Sequence, residues 1–337
     1  MPVSTISEYS ASINTPQMVK ASILAGGSPV KKNGRQIKYS GGFCVVFPYE
    51  TSKRKYAVRC WHVSVDDIQR RTKLISDAIH SSQLPYFVGF DYIPDGLMTA
   101  QGLQAIVVMD WVNAKTLKGY ISDHINDSSA LRRLAERFKD MVSDLHKHHL
   151  AHGDLQHGNI MVRDDGSLVL VDYDSMYAPA LDGFSDDIKG LAGYQHPGRW
   201  KNCTLNETID YFSELVIYTS ILAIAKYPNL WRELNLENTE TMLFSSEDIS
   251  SKGTSSIFSK LDRDPELRLL SERVKEYLHS DSIVDLKPLE KAIVDPKEEM
   301  LKGLSKKWKD NGYRKNVQTE EDFKSTADSI SKRWKSS

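Results

Sequence analysis

One short stretch limits what this chain can become: His152-Gly153-Asp154-Leu155-Gln156-His157-Gly158-Asn159-Ile160-Met161-Val162. Glycines 153 and 158 interrupt it too often for a helix, so Asp154 and Asn159 stand five residues apart on a loop. A β-type run, Ser167-Leu168-Val169-Leu170-Val171, then delivers a second acid, Asp172, at its end. A base, a neutral oxygen ligand and a second carboxylate on one loop and hairpin suit metal-assisted phosphoryl transfer. Asp154 would orient a hydroxyl, while Asn159 and Asp172 would hold Mg²⁺ (or Mn²⁺) against the phosphates of ATP. The bland alternative is a hairpin whose polar residues only cap turns, and the ordered recurrence of three groups weighs against it.

This set resembles the H-R-D-L-x-x-x-N catalytic loop of protein kinases, with Asp172-Tyr173-Asp174 where they carry D-F-G. The resemblance covers about residues 36–280. It implies an α+β, bilobal protein kinase-like fold, with a small sheet-plus-helix N-lobe (36–111) and a mainly helical C-lobe (112–290). Residues 1–35 read as an N-terminal extension with a short helix near 17–24. Residues 291–337 read as a basic helical tail with isolated aromatics Trp308, Tyr313, Phe323 and Trp334.

In the N-lobe, residues 43–47 and 56–61 read as antiparallel strands around a basic turn. Gly41 and Gly42 precede the first strand, where the family's glycine-rich loop turns over phosphate, but the G-x-G-x-x-G pattern survives only there. The lysine of V-A-I-K falls on Arg59, which keeps the charge but is longer and planar. A predicted helix over 66–80 lacks the family's glutamate, and Asp77 is the substitute partner for Arg59. Strands over 86–92 and 104–108, linked by a turn at Pro94-Asp95-Gly96, lead to Met109-Asp110-Trp111-Val112. That segment resembles the hinge whose backbone hydrogen-bonds adenine, with Met109 guarding the back of the pocket. By resemblance, then, ATP is contacted by Arg59, Gly41, Gly42, Asp77, Met109, Asp110 and Val112.

Beyond the hinge, helices are predicted over 116–126 and 129–149, the second with Ser129 as N-cap. His146, His148, His149 and His152 cluster in sequence, but 148 and 149 diverge on a helix and no cysteine is near, so a zinc site is not expected. His152 is expected to anchor the catalytic loop. The irregular residues 173–191 end at Ala192-Gly193-Tyr194-Gln195-His196-Pro197-Gly198-Arg199, which resembles an activation segment closing at A-P-E with the glutamate missing. Asp210 opens an apolar helix like the family's central one, whose first aspartate braces the catalytic loop. Asp264-Pro265-Glu266 starts a last helix through 278.

Over 337 residues the formal net charge is −1, which argues for neither nucleic acid nor an anionic membrane as partner. Three scattered cysteines, Cys44, Cys60 and Cys203, read as reduced thiols of a cytoplasmic protein. No signal-peptide pattern opens the sequence, and the apolar run 215–225 is too short to span a bilayer. The resemblance implies an ATP- and Mg²⁺-dependent phosphotransferase, serine/threonine protein kinase-like, with a protein substrate or partner; nothing in the sequence sets the oligomeric state. Gln156 stands where serine/threonine kinases carry lysine, and small-molecule kinases of the aminoglycoside and choline type also carry H-G-D. The reduced glycine loop, Arg59 and the absent glutamate leave a second class open, a pseudokinase acting as a regulatory binding module.

Overall fold

Alternating side chains build the sheet that roofs the cleft. In the computed structural model, which describes residues 3–64, 67–201 and 204–294, Cys44–Glu50 (β1) and Lys55–Trp61 (β2) pair antiparallel. Phe90–Thr99 (β3) hairpins onto Gly102–Asp110 (β4), and β4 pairs with β2. The period of two sends Val45, Phe47, Val58, Cys60, Ile106 and Val108 to one face and Val46, Ala57 and Arg59 to the other.

The first face is covered by the N-terminal residues. Ile6–Ile13 (α1) drops Tyr9 and Ile13 into one core with Leu24 and the inward residues of β1, β2 and β4. The extension is therefore a layer of the lobe. Its helix lies earlier than expected, while residues 17–24 hold only the 3₁₀ turns Pro16–Met18 and Ser22–Leu24. A capping box starts α1: the Glu8 amide donates to Thr5 Oγ1 (3.2 Å) and the Thr5 amide to Glu8 Oε2 (2.7 Å).

The same segment explains a second difference. Pro94-Asp95-Gly96 is no turn but a bulge inside β3, with the register shifting between Ile93 and Leu97. The turn comes at 100–101 instead. Gly96 O accepts from the amides of Lys20 and Ala21, and a Cβ at 96 would lie 2.3 Å from Ile106. Turn-forming residues here serve a docking site for the N-terminal chain.

Ile68–Ser82 (α2) packs on β3, where Ser76 Oγ donates to Phe90 O (2.7 Å). In the helical lobe, Leu117–Asp123 (α3) is capped by Thr116, and Ser128–Lys147 (α4) by Asp127 rather than Ser129. The buried stripe of α4, from Leu131 to Leu145, lies against Tyr211–Lys226 (α5). That helix is apolar all round, so it is buried all round. Arg268–His279 (α6) starts later than expected, because Asp264 Oδ1 accepts from the amides of Glu266 and Leu267 in a turn before it. Ile160–Val162 (β5) and Leu168–Leu170 (β6) form the hairpin below the cleft. Among the described residues, those up to Leu289 make one compact unit. Cys203 and the tail aromatics lie outside the described residues. Among the described residues no helix is long and apolar enough to cross a membrane.

Candidate active site

The loop from His152 to Asn159 is braced from two sides. Asp210, 1% exposed at the start of α5, accepts from the backbone amides of His152 and Gly153. His152 Nε2 lies 2.9 Å from Val171 O, which ties the loop to the strand leading to Asp172. Gly153 has a φ of 79°, and a Cβ there would sit 2.0 Å from Ser175 O. Glycine replaces the arginine of H-R-D because nothing larger fits.

Asn159 Nδ2 donates to both Asp154 O and Asp154 Oδ2, each at 2.9 Å, which sets the direction of the carboxylate. The other oxygen, Asp154 Oδ1, is buried without a protein partner, and so is Gln195 Nε2. Both flank Gly190, where a Cβ would fall 2.1 Å from Oδ1 and 3.2 Å from Nε2. One is an acceptor and the other a donor; a hydroxyl, which is both, satisfies the pair. Burial pushes Asp154 up to about 6, with His152 opposing and Asp172 adding to the shift, so at neutral pH it is an ionised base of raised basicity.

Asp172 follows β6 with a φ of 66°, a left-handed conformation that costs a non-glycine residue strain and recurs at functional sites. Its backbone neighbour Val171 donates to Asn159 O (3.0 Å), so the two expected metal ligands come from hydrogen-bonded segments. The Asp172 side chain stays 56% exposed, yet desolvation by the cleft walls and then the Asp174 carboxylate push its pKa up, with Arg59 opposing. A divalent cation would relieve that crowding, so the donor set suits one. Among the described residues no three His, Cys, Asp or Glu side chains gather into a metal cage. Mg²⁺ in phosphoryl transfer takes most of its ligands from phosphate and water, and an amide and a carboxylate suffice. Tyr173 turns inward against Phe87 and Phe90, its hydroxyl accepting from the Val88 amide (3.0 Å).

Arg59 does not meet Asp77. It forks onto Asp174, with Nη1 2.6 Å from Oδ1, and stands 3.9 Å from Asp172. Burial alone would lower the pKa of Arg59, and the Asp174 carboxylate more than offsets it. Asp77 lies on the outer face of α2 paired with Lys73, while the buried positions of the helix include Thr72, Ile75, Ser76 and Ile79. The acid comes instead from the third residue of Asp172-Tyr173-Asp174, where D-F-G has glycine. Asp174→Ala should therefore cost about 2 kcal/mol or more, since Arg59 is left buried with only the longer 3.9 Å contact to Asp172. Asp77→Ala should stay within about 0.5 kcal/mol in the same urea melts. Equal losses would remove Asp174 as the partner.

A cavity of about 580 Å³ opens under β1 and β2 and is lined by Gly41, Gly42, Arg59, Met109, Asp110, Val112 and Asp172. Val46, Ala57, Met161 and Val171 add apolar walls suited to a flat ring. Asp154, Asn159 and Asp77 are not in its wall. The amides of Asp110 and Trp111 are taken by Gly89 O (3.1 Å) and Lys55 O (3.0 Å). A Cβ on Gly42 would meet no atom within 4 Å, so the loop edge above the cavity is open.

Three further site residues were not read from the sequence. Arg199 and Asp186, both with fully buried side chains, pair at 2.9 Å (Nε–Oδ2) and 2.8 Å (Nη2–Oδ1). Arg199 Nη1 also donates to Gly153 O and to Gln195 Oε1 (2.6 Å for the latter). Because Oε1 is taken by Arg199, the Gln195 amide presents Nε2 to Gly190, which Asp154 Oδ1 also flanks. One buried guanidinium thus ties the segment after Asp172 to the loop from His152 to Asn159 and fixes the Gln195 amide beside Gly190. Pro197-Gly198-Arg199 was visible only as the end of that segment.

Residues 92–182 match the family model of the ABC1 atypical kinase-like domain. The match runs from β3 through residues 109–112 and the loop from His152 to Asn159 to just past Asp172-Tyr173-Asp174. It is consistent with the protein kinase-like superfamily and points to kinase-like use of ATP. No curated protein matches the chain.

Proposed function

We propose that this chain is a metal-dependent phosphotransferase that moves the γ-phosphoryl group of ATP to a hydroxyl. The observation that carries the reading is Asp154, held by Asn159 with its Oδ1 left without a protein partner, on a loop hydrogen-bonded to the strand that delivers Asp172. The acceptor oxygen receives a hydrogen bond from Gln195 Nε2 and gives its proton to Asp154. Asn159 and Asp172 would hold Mg²⁺ (or Mn²⁺), which supplies charge neutralisation on the β- and γ-phosphates. Arg59, fixed by Asp174, stands beside Asp172 and the phosphate end of the cavity, under Gly41 and Gly42. The backbone of Asp110 and Val112 and the side chain of Met109 frame the adenine end. The ordered segment around Asp186 and Arg199 favours a serine or threonine of a protein as acceptor, in the cytoplasm, where Cys44 and Cys60 stay reduced.

A regulatory module that binds nucleotide without turnover is the second reading. It is favoured by Arg59 being committed to Asp174 rather than open to phosphate. Asp172→Asn tests the shared premise. Titrating ATP with Mg²⁺ should raise the melting temperature of the wild type and leave Asp172→Asn unmoved. Equal shifts in both proteins would remove Asp172 from the metal site.

A further inference from the structure

A second and larger chamber, of about 1050 Å³, lies beyond the Arg59–Asp174 pair, between the first turn of α2 and residues 182–189. Its wall holds an unusual set of idle groups. Arg59 Nε, Trp61 Nε1, Arg71 Nε and Arg71 Nη2 are all buried without a protein partner, and their three residues all line this chamber. Each residue is more than nine-tenths buried: Arg59 7% exposed, Trp61 6% and Arg71 8%. All four atoms are N–H donors, and among the described residues no unpartnered buried side-chain acceptor shares the wall. Arg71 spends only Nη1, on Ser185 O at 3.1 Å.

Buried donors left idle are costly, and a group that only accepts is what repays them. The helix above adds to the same polarity. α2 runs fifteen residues from Ile68 and has no side-chain cap at Asp67, and Asp67, Ile68 and Arg70 are in the wall, so the positive end of its dipole lies there. The other charges in the wall are accounted for. Asp174 holds Arg59, Asp187 accepts from Ser185 Oγ, Lys189 pairs with Asp186, and Arg70 lies over the Phe184 ring. Asp67 and Asp182 are exposed. Burial lowers the pKa of Arg71, opposed by Asp174, Asp186 and Asp187, and the guanidinium stays charged throughout the ordinary pH range. Phe43, Trp61, Phe184 and Ile188 supply apolar wall beside these donors, room for more than a bare ion.

We propose that this chamber is a binding site for a small organic oxyanion, a phosphate monoester or carboxylate, recruited by Arg71 and Trp61, whose idle donors lie within its wall, and divided from the nucleotide cleft by the shared residues Phe43, Arg59 and Asp174. A guanidinium edge matches two oxygens of either group in parallel, which a single point charge does not. The site does not depend on phosphoryl transfer, since none of its donors belongs to Asp154, Asn159 or Asp172.

The test is calorimetric titration of the full chain with phenyl phosphate and with inorganic phosphate, each in the absence and presence of saturating ATP and Mg²⁺. One phenyl phosphate per chain is expected, bound at least several-fold tighter than inorganic phosphate and still bound when ATP and Mg²⁺ are present. Arg71→Met, similar in length but uncharged, should weaken it tenfold or more. Trp61→Phe, which removes little besides the N–H, should weaken it a few-fold and keeps the question open to test if Arg71→Met does not fold. Unchanged affinity in either folded variant would overturn the assignment. So would loss of phenyl phosphate binding on adding ATP and Mg²⁺, because that places the probe in the nucleotide cleft. Inorganic phosphate binding as tightly as the ester would overturn the organic part of the claim. A chain that binds phenyl phosphate but not ATP would refute the phosphotransferase reading and leave this one standing.

Discussion

Arg199→Met is expected to cost about 3–5 kcal/mol of stability, the loss typical of breaking a fully buried ion pair from one side. Asp186 would keep its buried charge with only Lys189, at 3.3 Å, beside it, and Gly153 O and Gln195 Oε1 would lose their donor. Urea denaturation of wild type and variant measures the loss directly. Adding Asp186→Leu to Arg199→Met should recover part of it, because the double change removes the stranded charge as well. Where the single variant remains folded, turnover should also collapse, since the Gln195 amide is then free to rotate away from Asp154. A loss under about 1 kcal/mol would show that the pair does not hold the segment against the catalytic loop.

Asp154→Asn should lower turnover by about 10²–10⁴-fold while nucleotide binding survives, because Asp154 is not in the wall of the cavity proposed for ATP. The same change should stabilise the protein. The folded-state pKa of about 6 lies above the 3.8 of an unperturbed aspartate, so the fold favours the protonated form. The stability this group contributes is therefore complete below about pH 4 and lost as pH rises through about 6, where the buried carboxylate ionises. An asparagine side chain carries no such charge. At pH 7.5 the Asp154→Asn variant should be more stable than wild type by about 1–2 kcal/mol, an advantage that disappears near pH 4. In the wild type, kcat/KM should fall as pH drops below about 6, when the base is protonated. A profile flat down to pH 5, or a variant with ordinary turnover, would take Asp154 out of the chemistry.

What could be read ahead of the structure follows from sequence distance. Asp154, Asn159 and Asp172 lie close along the chain, and glycines and a β-run dictate how the backbone carries them, so their grouping was legible. α5 was legible because a helix apolar on every side has no stable place but the interior. Contacts between remote residues were not. Arg59 and Asp174 are 115 positions apart, and Arg199 and Gly153 are 46 apart. Asp77 was misassigned because one residue on a helix is about 100° of rotation: Ser76 faces β3, and Asp77 faces solvent. Pro94-Asp95-Gly96 was misread as a turn because bulges and turns draw on the same residues. What decided between them was the docking of Lys20 and Ala21, invisible from the local pattern. The Thr5 and Glu8 spacing did mark the start of α1, and a capping-box search would have found it.

Transfer of label from γ-labelled ATP tests the central claim most directly. Wild type and Asp172→Asn are incubated with ATP, Mg²⁺ and a mixed protein acceptor, with the chain itself available as a substrate. The expected result is Mg²⁺-dependent label on serine or threonine hydroxyls in the wild-type reaction and none above background with Asp172→Asn. Equal label in both reactions, or none from a wild type that ATP and Mg²⁺ nonetheless stabilise, would contradict phosphoryl transfer at this site.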